Sequence, residues 1–297
     1  MLPNFLVIGA EKGGTTWLDL QLRQHHDIFL PETKEVHFFN RFGSNLDECD
    51  NFTNRGLSWY EKFFSSWAGQ KAVGEVTPMY LCDNAAPQRI HDTLPDVKVI
   101  CILRNPISRA QSHYWMAATK SHTRLSLEEI VETDDDRIIK RGLYSTQLKR
   151  YLDLFPVDRI LVLYFEDVFS APHAALSQVF QFLDVENIKR EDADVKEKAN
   201  ASKKIRFSFI YNKGVWIAQI MRRWSLTGHV MSFLKRSGVT QVVRRLNETD
   251  FEYPEMTEET RKRLRYRYED DVAQVAELVG QHPQNWVDFP SPESSGH

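Results

Sequence analysis

Short unbroken apolar runs along the chain alternate with segments whose apolar residues recur every three to four positions. Asn4–Ile8, Val97–Leu103 and Arg159–Phe165 are near-continuous apolar stretches of strand length. Runs without a polar side are expected where both faces of a sheet are covered, as in a parallel sheet between helices. The period changes to that of a helix in Thr15–His25, Pro106–Ala118 and Ala174–Leu183, where Val179, Phe180 and Leu183 cluster. Gly142–Phe155 reads the same way, with Leu143, Leu148, Tyr151, Leu152 and Phe155 on one side. Asn105 and Pro106 supply an N-cap and a first helical residue. Thr257 is placed to cap a helix over 257–279 whose buried stripe is Leu264, Tyr268, Val272, Val275 and Val279, with Gly280 ending it. Such alternation predicts an α/β fold: a central parallel β-sheet flanked by helices, with a helical C-terminal region.

The 297 residues contain no internal repeat and no Pro/Ser-rich linker, so a single domain over 1–297 is expected. An apolar content of 42% and a net charge of −3 give no reason to expect a nucleic-acid partner. No basic region precedes the first apolar residues, and no stretch approaches the ~20 apolar residues of a membrane span. The expectation is a cytoplasmic protein without a signal peptide or transmembrane segment. Cys49, Cys82 and Cys101 are odd in number and scattered, and the histidines form no HxxxH or HxH pair. Neither a disulfide framework nor a metal site is predicted. Segment 203–245 holds ten Lys/Arg and no Asp or Glu, with aromatics interleaved, and reads as a basic helical insertion. It fits a solvated helical face or a surface for an anionic partner. Segment 119–140 also reads as an insertion over the sheet.

Chemistry enters at Gly9-Ala-Glu-Lys12-Gly13-Gly14-Thr15-Thr16-Trp17, which follows the first apolar run and opens a helix. A glycine-rich turn of this kind aims backbone N–H groups and a helix N-terminus at one point, a ready anion site. Gly9 to Gly14 have P-loop spacing, but Thr15 stands where a nucleoside-triphosphate loop has its lysine, and the lysine lies inside the loop as Lys12. The pattern suits a phosphate-containing donor handled without a metal; alone, it also fits a turn before a core helix. Arg104 directly follows the second apolar run, so it emerges at the sheet's C-terminal edge, where ligands of open α/β sheets bind. Ser112 follows eight residues later. Guanidinium and hydroxyl together suit a phosphate, although a capped helix with a surface arginine would read alike.

Taken together, these motifs resemble the sulfotransferases, a P-loop-like family that uses 3′-phosphoadenosine 5′-phosphosulfate (PAPS). The likeness is greatest to the carbohydrate (heparan sulfate type) branch and its soluble bacterial relatives. The resemblance implies that Lys12, Gly13, Gly14, Thr15, Thr16 and Trp17 hold the 5′-phosphosulfate, and that Arg104 and Ser112 hold the 3′-phosphate. Gly142-Leu-Tyr144 resembles the family's G-x-Y helix start, which implies that Tyr144 lies near that phosphate. Lys203, Lys204 and Arg206 fall where the family has a basic loop over the nucleotide. Lys34-Glu35-Val36-His37-Phe38-Phe39 resembles the K-E-x-H-F-F element, which makes Glu35 the base and His37 its support or competitor. Glu75-Val76-Thr77-Pro78-Met79-Tyr80 resembles E-K-x-P-x-Y but departs at Val76, removing a lysine that would favour an acidic acceptor. The resemblance thus implies sulfuryl transfer to an acceptor hydroxyl, of a carbohydrate or glycosylated small molecule, with adenosine 3′,5′-bisphosphate released and no metal. The alternatives are a P-loop kinase, for which Asp167 is the one magnesium-carboxylate candidate, and a non-catalytic nucleotide-binding module.

Overall fold

The three apolar runs lie side by side as the centre and one edge of a five-stranded parallel sheet. In a computed structural model of the chain, the residues described are 1–42, 49–119, 123, 125–133, 137–188, 203–205, 248–250 and 256–290. The strands are β1 Phe5–Gly9, β2 Ile28–Phe29, β3 Ala72–Val76, β4 Lys98–Leu103 and β5 Ile160–Tyr164, in the order β2-β3-β1-β4-β5. Every pairing is parallel, so all five C-terminal ends lie on one edge. Helices α1 Thr15–Arg23, α2 Asn51–Arg55, α3 Leu57–Glu61, α4 Ala86–Thr93, α5 Pro106–Thr119 and α6 Leu127–Thr133 follow in chain order. After them come α7 Tyr144–Leu152, α8 Phe165–Ser170, α9 Pro172–Phe182 and α10 Glu258–Val279.

Side chains alternate across the sheet with the period of two that strands impose. Leu6, Ile8, Val73, Val99, Cys101 and Leu103 enter one core, together with residues of α4, α5, α7 and α10. Phe5, Val7, Ala72, Val76, Ile100 and Ile102 enter the other, with α1 and α9. Two strands were not announced by the apolar pattern. β2 has only two residues, and Gly74 and Glu75 interrupt β3. Gly74 is needed there because a Cβ would stand 2.4 Å from the Phe5 ring.

The C-terminal helix follows its sequence signals closely. Thr257 Oγ1 accepts from the Thr260 N–H at 3.2 Å, and Gly280 closes the helix at φ 71°. Val279 is half-buried, whereas Asp271 joins the buried stripe. Its carboxylate accepts from the Tyr144 N–H at 2.7 Å and the Ser145 N–H at 3.0 Å. That cap explains why α7 starts at Tyr144 rather than at Gly142.

The chain divides into two compact units, 1–199 with 255–297, and 200–254. The sheet and helices above belong to the first. In the second, β6 Lys203–Ile205 pairs antiparallel with β7 Glu248–Asp250. The rest of the basic segment 203–245 lies outside the described residues. Among the described residues, no helix is long and apolar enough to cross a membrane.

Candidate active site

Four chain segments meet where β1, β3 and β4 end. The Ala10 N–H donates to Ile102 O at 2.8 Å, the Thr77 N–H to Val7 O at 2.9 Å, and the Glu35 N–H to Val76 O at 3.0 Å. The glycine loop, the Glu35 loop and the segment after β3 are thereby tied to one sheet edge.

Within the loop the two glycines differ in purpose. A Cβ on Gly13 would stand 2.3 Å from Ile102 O, so only glycine lets the loop lie on β4. The Gly13 N–H donates inward to Ala10 O at 2.9 Å, which directs it away from any bound anion. Gly14 has φ 90° and caps α1 with no side-chain hydrogen bond. The first-turn N–H groups of Thr15 and Thr16 have no intrahelical acceptor and point along the helix axis, where its positive end lies. Trp17 is 1% exposed and its ring packs 5.3 Å from that of Phe169, so its indole belongs to the core. Lys12 has φ 69°, and its Nζ lies 3.6 Å from Met116 Sδ.

Arg104 leaves β4 beside this loop. Its Nη1 donates to Lys12 O at 3.4 Å, and its guanidinium lies 4.6 Å from the Phe165 ring centroid, a cation–π contact. Tyr144 is fully buried and its hydroxyl donates to Arg104 O at 2.9 Å. The structure therefore places Tyr144 behind Arg104, where it fixes the strand end. On α5, Arg109, Ser112, His113 and Met116 form one helical stripe, and its last three members are spaced to face the loop. Ser112 is buried there, one turn before the Met116 that meets Lys12. His113 Nδ1 lies 3.8 Å from Glu11 Oε2, and Glu11 also pairs with Arg141. Burial, then Arg109, Arg141, Lys12 and Arg137, push the His113 imidazole down to about 2, so it stays neutral. Lys203 lies in the separate unit 200–254, and Arg206 lies outside the described residues.

Glu35 and His37 both have positive φ, 62° and 54°, in the region that non-glycine residues rarely occupy. Lys34 Nζ lies 2.6 Å from Glu35 Oε1, and His37 Nε2 lies 3.7 Å from Glu35 Oε2. Asn40 donates through Nδ2 to Phe42 O, so its Oδ1 is the acceptor 3.3 Å from His37 Nδ1. A neutral His37 then carries its proton on Nδ1 and offers the Nε2 lone pair beside Glu35. The two candidate bases are thus brought together, one-third and one-fifth exposed.

Sequence reasoning overlooked what lies beneath them. Glu75 is 1% exposed and accepts at Oε1 from the hydroxyls of Tyr60, at 2.7 Å, and Tyr80, at 2.8 Å. The Thr77 hydroxyl donates to Oε2 at 3.1 Å. Burial raises the carboxyl to about 7 against these hydrogen bonds, which act to lower it. The spacing of Glu75 and Tyr80 was visible as a motif; Tyr60, Glu11, Arg141 and His113 carried no spacing signal. Val76, in the place of the expected lysine, is buried in the core beside Phe5, Val7 and Trp17.

Residues 2–276 match the family profile described as a sulfotransferase domain. Heparan sulfate glucosamine 3-O-sulfotransferase 6 of Mus musculus and of Homo sapiens is 32% identical over 208 residues, covering 68% of this chain and 57% of those proteins. The membrane-associated sulfotransferase kil1 of Dictyostelium discoideum is 25% identical over 278 residues, covering 63% of this chain and 57% of that protein. The chain thus spans about 57% of the length of these relatives. A solved sulfotransferase structure from Alicyclobacillus acidocaldarius has a TM-score of 0.68 at 27% identity, covering 97% of this chain and 99% of that one.

Proposed function

Because the chain belongs to the sulfotransferase family, we propose that it moves the sulfuryl group of PAPS to a carbohydrate hydroxyl. The observation that carries this reading is the meeting, at one sheet edge, of an uncapped helix N-terminus, Lys12 and Arg104 with the Glu35–His37 pair. The N–H groups of Thr15 and Thr16 and the Lys12 ammonium take the 5′-phosphosulfate. Arg104 and Ser112 take the 3′-phosphate.

Glu35 accepts the acceptor's proton as the acceptor oxygen attacks sulfur, with His37 Nε2 at its side. The bond from sulfur to the phosphate oxygen breaks, its electron pair stays on that oxygen, and adenosine 3′,5′-bisphosphate leaves. Lys12 and the helix terminus face the charge that develops there. Alignment and fixed positive charge supply the acceleration.

For the acceptor, we favour an acidic carbohydrate. A cleft of about 470 Å³ in the same unit is lined by Arg41, Arg137, Lys140, Arg141 and Arg150, with Asp83 as its one acidic residue among those described. Asp83 is occupied by backbone N–H groups of Arg41, Ala85 and Ala86. The cleft borders the site through Arg141, which pairs with Glu11 next to Lys12, and through Arg41, four residues beyond His37. Positive charge missing at Val76 is thus present on another wall. Nothing in the comparisons supports the kinase reading.

Calorimetry with adenosine 3′,5′-bisphosphate against ATP plus magnesium, followed by labelled transfer from PAPS to heparan sulfate, tests the proposal. Tight binding of the bisphosphate and transfer that persists with a chelator are expected. Preference for ATP–magnesium, or activity restored by magnesium after chelation, would count against it.

A further inference from the structure

The buried carboxylate of Glu75 sits on β3 facing the core that contains Phe38, Phe39, Tyr60 and Tyr80. A carboxylate in that position is costly to keep, and an apolar residue of similar volume would fill the space at less expense. What it does is visible in the direction of its hydrogen bonds. In its ionised form the carboxylate only accepts, so the hydroxyl proton of Tyr80 is drawn to Glu75 Oε1 at 2.8 Å. The lone pairs of the Tyr80 oxygen are left to face the N–H of Phe38 at 2.9 Å and of Phe39 at 3.4 Å. Those amides lie one and two residues beyond His37 and three and four beyond Glu35, and the Val36 amide between the two bases also stabilises the charged form of Glu75. The Asn51 side chain holds His37 O at 3.0 Å, and the Phe38 ring stacks on Tyr60 at 4.4 Å. Two non-glycine residues at positive φ keep that conformation only when the surroundings over-determine it.

We propose that Glu75 and Tyr80 are positioning residues that hold the 35–39 loop so that Glu35 is presented to the acceptor. The inference rests on the reading of Glu35 as the base. The role of Glu75 is that of an oriented acceptor, so a glutamine, which keeps one carbonyl oxygen for the tyrosines, serves in part, and a leucine does not.

The test uses Tyr80→Phe, Glu75→Gln and Glu75→Leu in the full chain. In Tyr80→Phe the ring remains and only the hydroxyl is lost. The amides of Phe38 and Phe39 should exchange with deuterium roughly 3- to 10-fold faster. Turnover from PAPS to heparan sulfate should fall ~10- to 100-fold, since small misplacement of a reacting group costs that much. KM for PAPS and affinity for adenosine 3′,5′-bisphosphate should change by less than about twofold, because no donor contact is touched. Glu75→Gln should retain more turnover than Glu75→Leu. In a Glu35→Gln background, Tyr80→Phe should cause no further loss.

Unchanged exchange at Phe38 and Phe39 overturns the inference, as does faster exchange with undiminished turnover. It is equally overturned by a full Tyr80→Phe effect on top of Glu35→Gln. A wild-type protein that neither binds adenosine 3′,5′-bisphosphate nor transfers from PAPS overturns the sulfotransferase reading instead, and the exchange result alone then decides whether Tyr80 holds the loop.

Discussion

Arg104 meets the glycine loop through one nitrogen and lays its face on Phe165, so its guanidinium is oriented before any ligand arrives. Arg104→Ala is expected to weaken adenosine 3′,5′-bisphosphate by ~2–3 kcal/mol and adenosine 5′-phosphate hardly at all. Arg104→Lys should not restore it, because a lysine provides neither the planar fork nor the stacking. Equal losses for the two nucleotides in calorimetry would show that Arg104 does not read the 3′-phosphate. Glu75 gives a prediction with the opposite chemistry, a group that prefers its proton in the folded state. Its carboxyl is raised from 4.5 to about 7, so the folded state binds the extra proton between those values. Stability from this group is therefore present below pH 4.5 and falls as pH rises to 7, by an amount on the order of 3 kcal/mol. Glu75→Gln should flatten that part of the profile in urea titrations run from pH 4.5 to 8. A profile as steep as that of the wild type would mean that Glu75 is not the group responsible. Lys12 and Arg104 were legible as polar residues at or near the end of an apolar run, and Glu35 from the likeness of its motif alone. Trp17 and Tyr144 were legible as motif members, but their side chains turn inward, and direction is set by packing that no linear spacing reveals.

The glycine loop works as a unit with the strand it rests on. Gly13 has no room for a Cβ above Ile102 O, and its N–H closes the turn on Ala10. Gly13→Ala should therefore displace the loop from β4 and abolish measurable nucleotide binding, with far-UV circular dichroism close to that of the wild type. Retained affinity within about threefold would show that the loop tolerates a shift the geometry forbids. Strands and helices with continuous patterns were read to within a few residues, including α10 with both its caps. β3 was not, because its apolar run is broken by Gly74, which makes way for Phe5, and by Glu75, whose carboxylate is held by Tyr60, Tyr80 and the neighbouring Thr77. Residues placed for a tertiary reason weaken the local pattern that announces an element. For the same reason the early start expected for α7 fails: Asp271, 127 residues away from Tyr144, decides where it begins.

The sheet edge assembles contributions from distant parts of the chain, and the cleft beside it shows what such assembly adds. Arg41, Arg137, Lys140, Arg141 and Arg150 are scattered over 110 positions and form no run that a sequence scan would notice. The conspicuous basic run, 203–245, is a different feature and falls in the separate unit. Among the described residues, Glu11 and Asp83 offset two of the five positive charges, so the cleft walls remain net positive. Arg150 has a buried Nη1 with no hydrogen-bond partner among the described residues, a position that an acceptor's sulfate or carboxylate would complete. Arg41→Ala and Arg150→Ala are each expected to raise KM for heparan sulfate by about 10-fold or more, the value of a charge-assisted hydrogen bond. Affinity for adenosine 3′,5′-bisphosphate should remain as in the wild type, since neither residue touches the donor site. Raising salt from 50 to 200 mM should weaken acceptor binding in the wild type and less so in the double variant, because fewer charges remain to be screened. If instead a desulfated, uncharged oligosaccharide were turned over as efficiently as heparan sulfate, and the two variants left KM unchanged, the acidic acceptor would have to be given up. The readings of the donor site and of the Glu35 loop would stand, because they rest on the sheet edge, which the cleft meets only through the Arg141–Glu11 pair and Arg41.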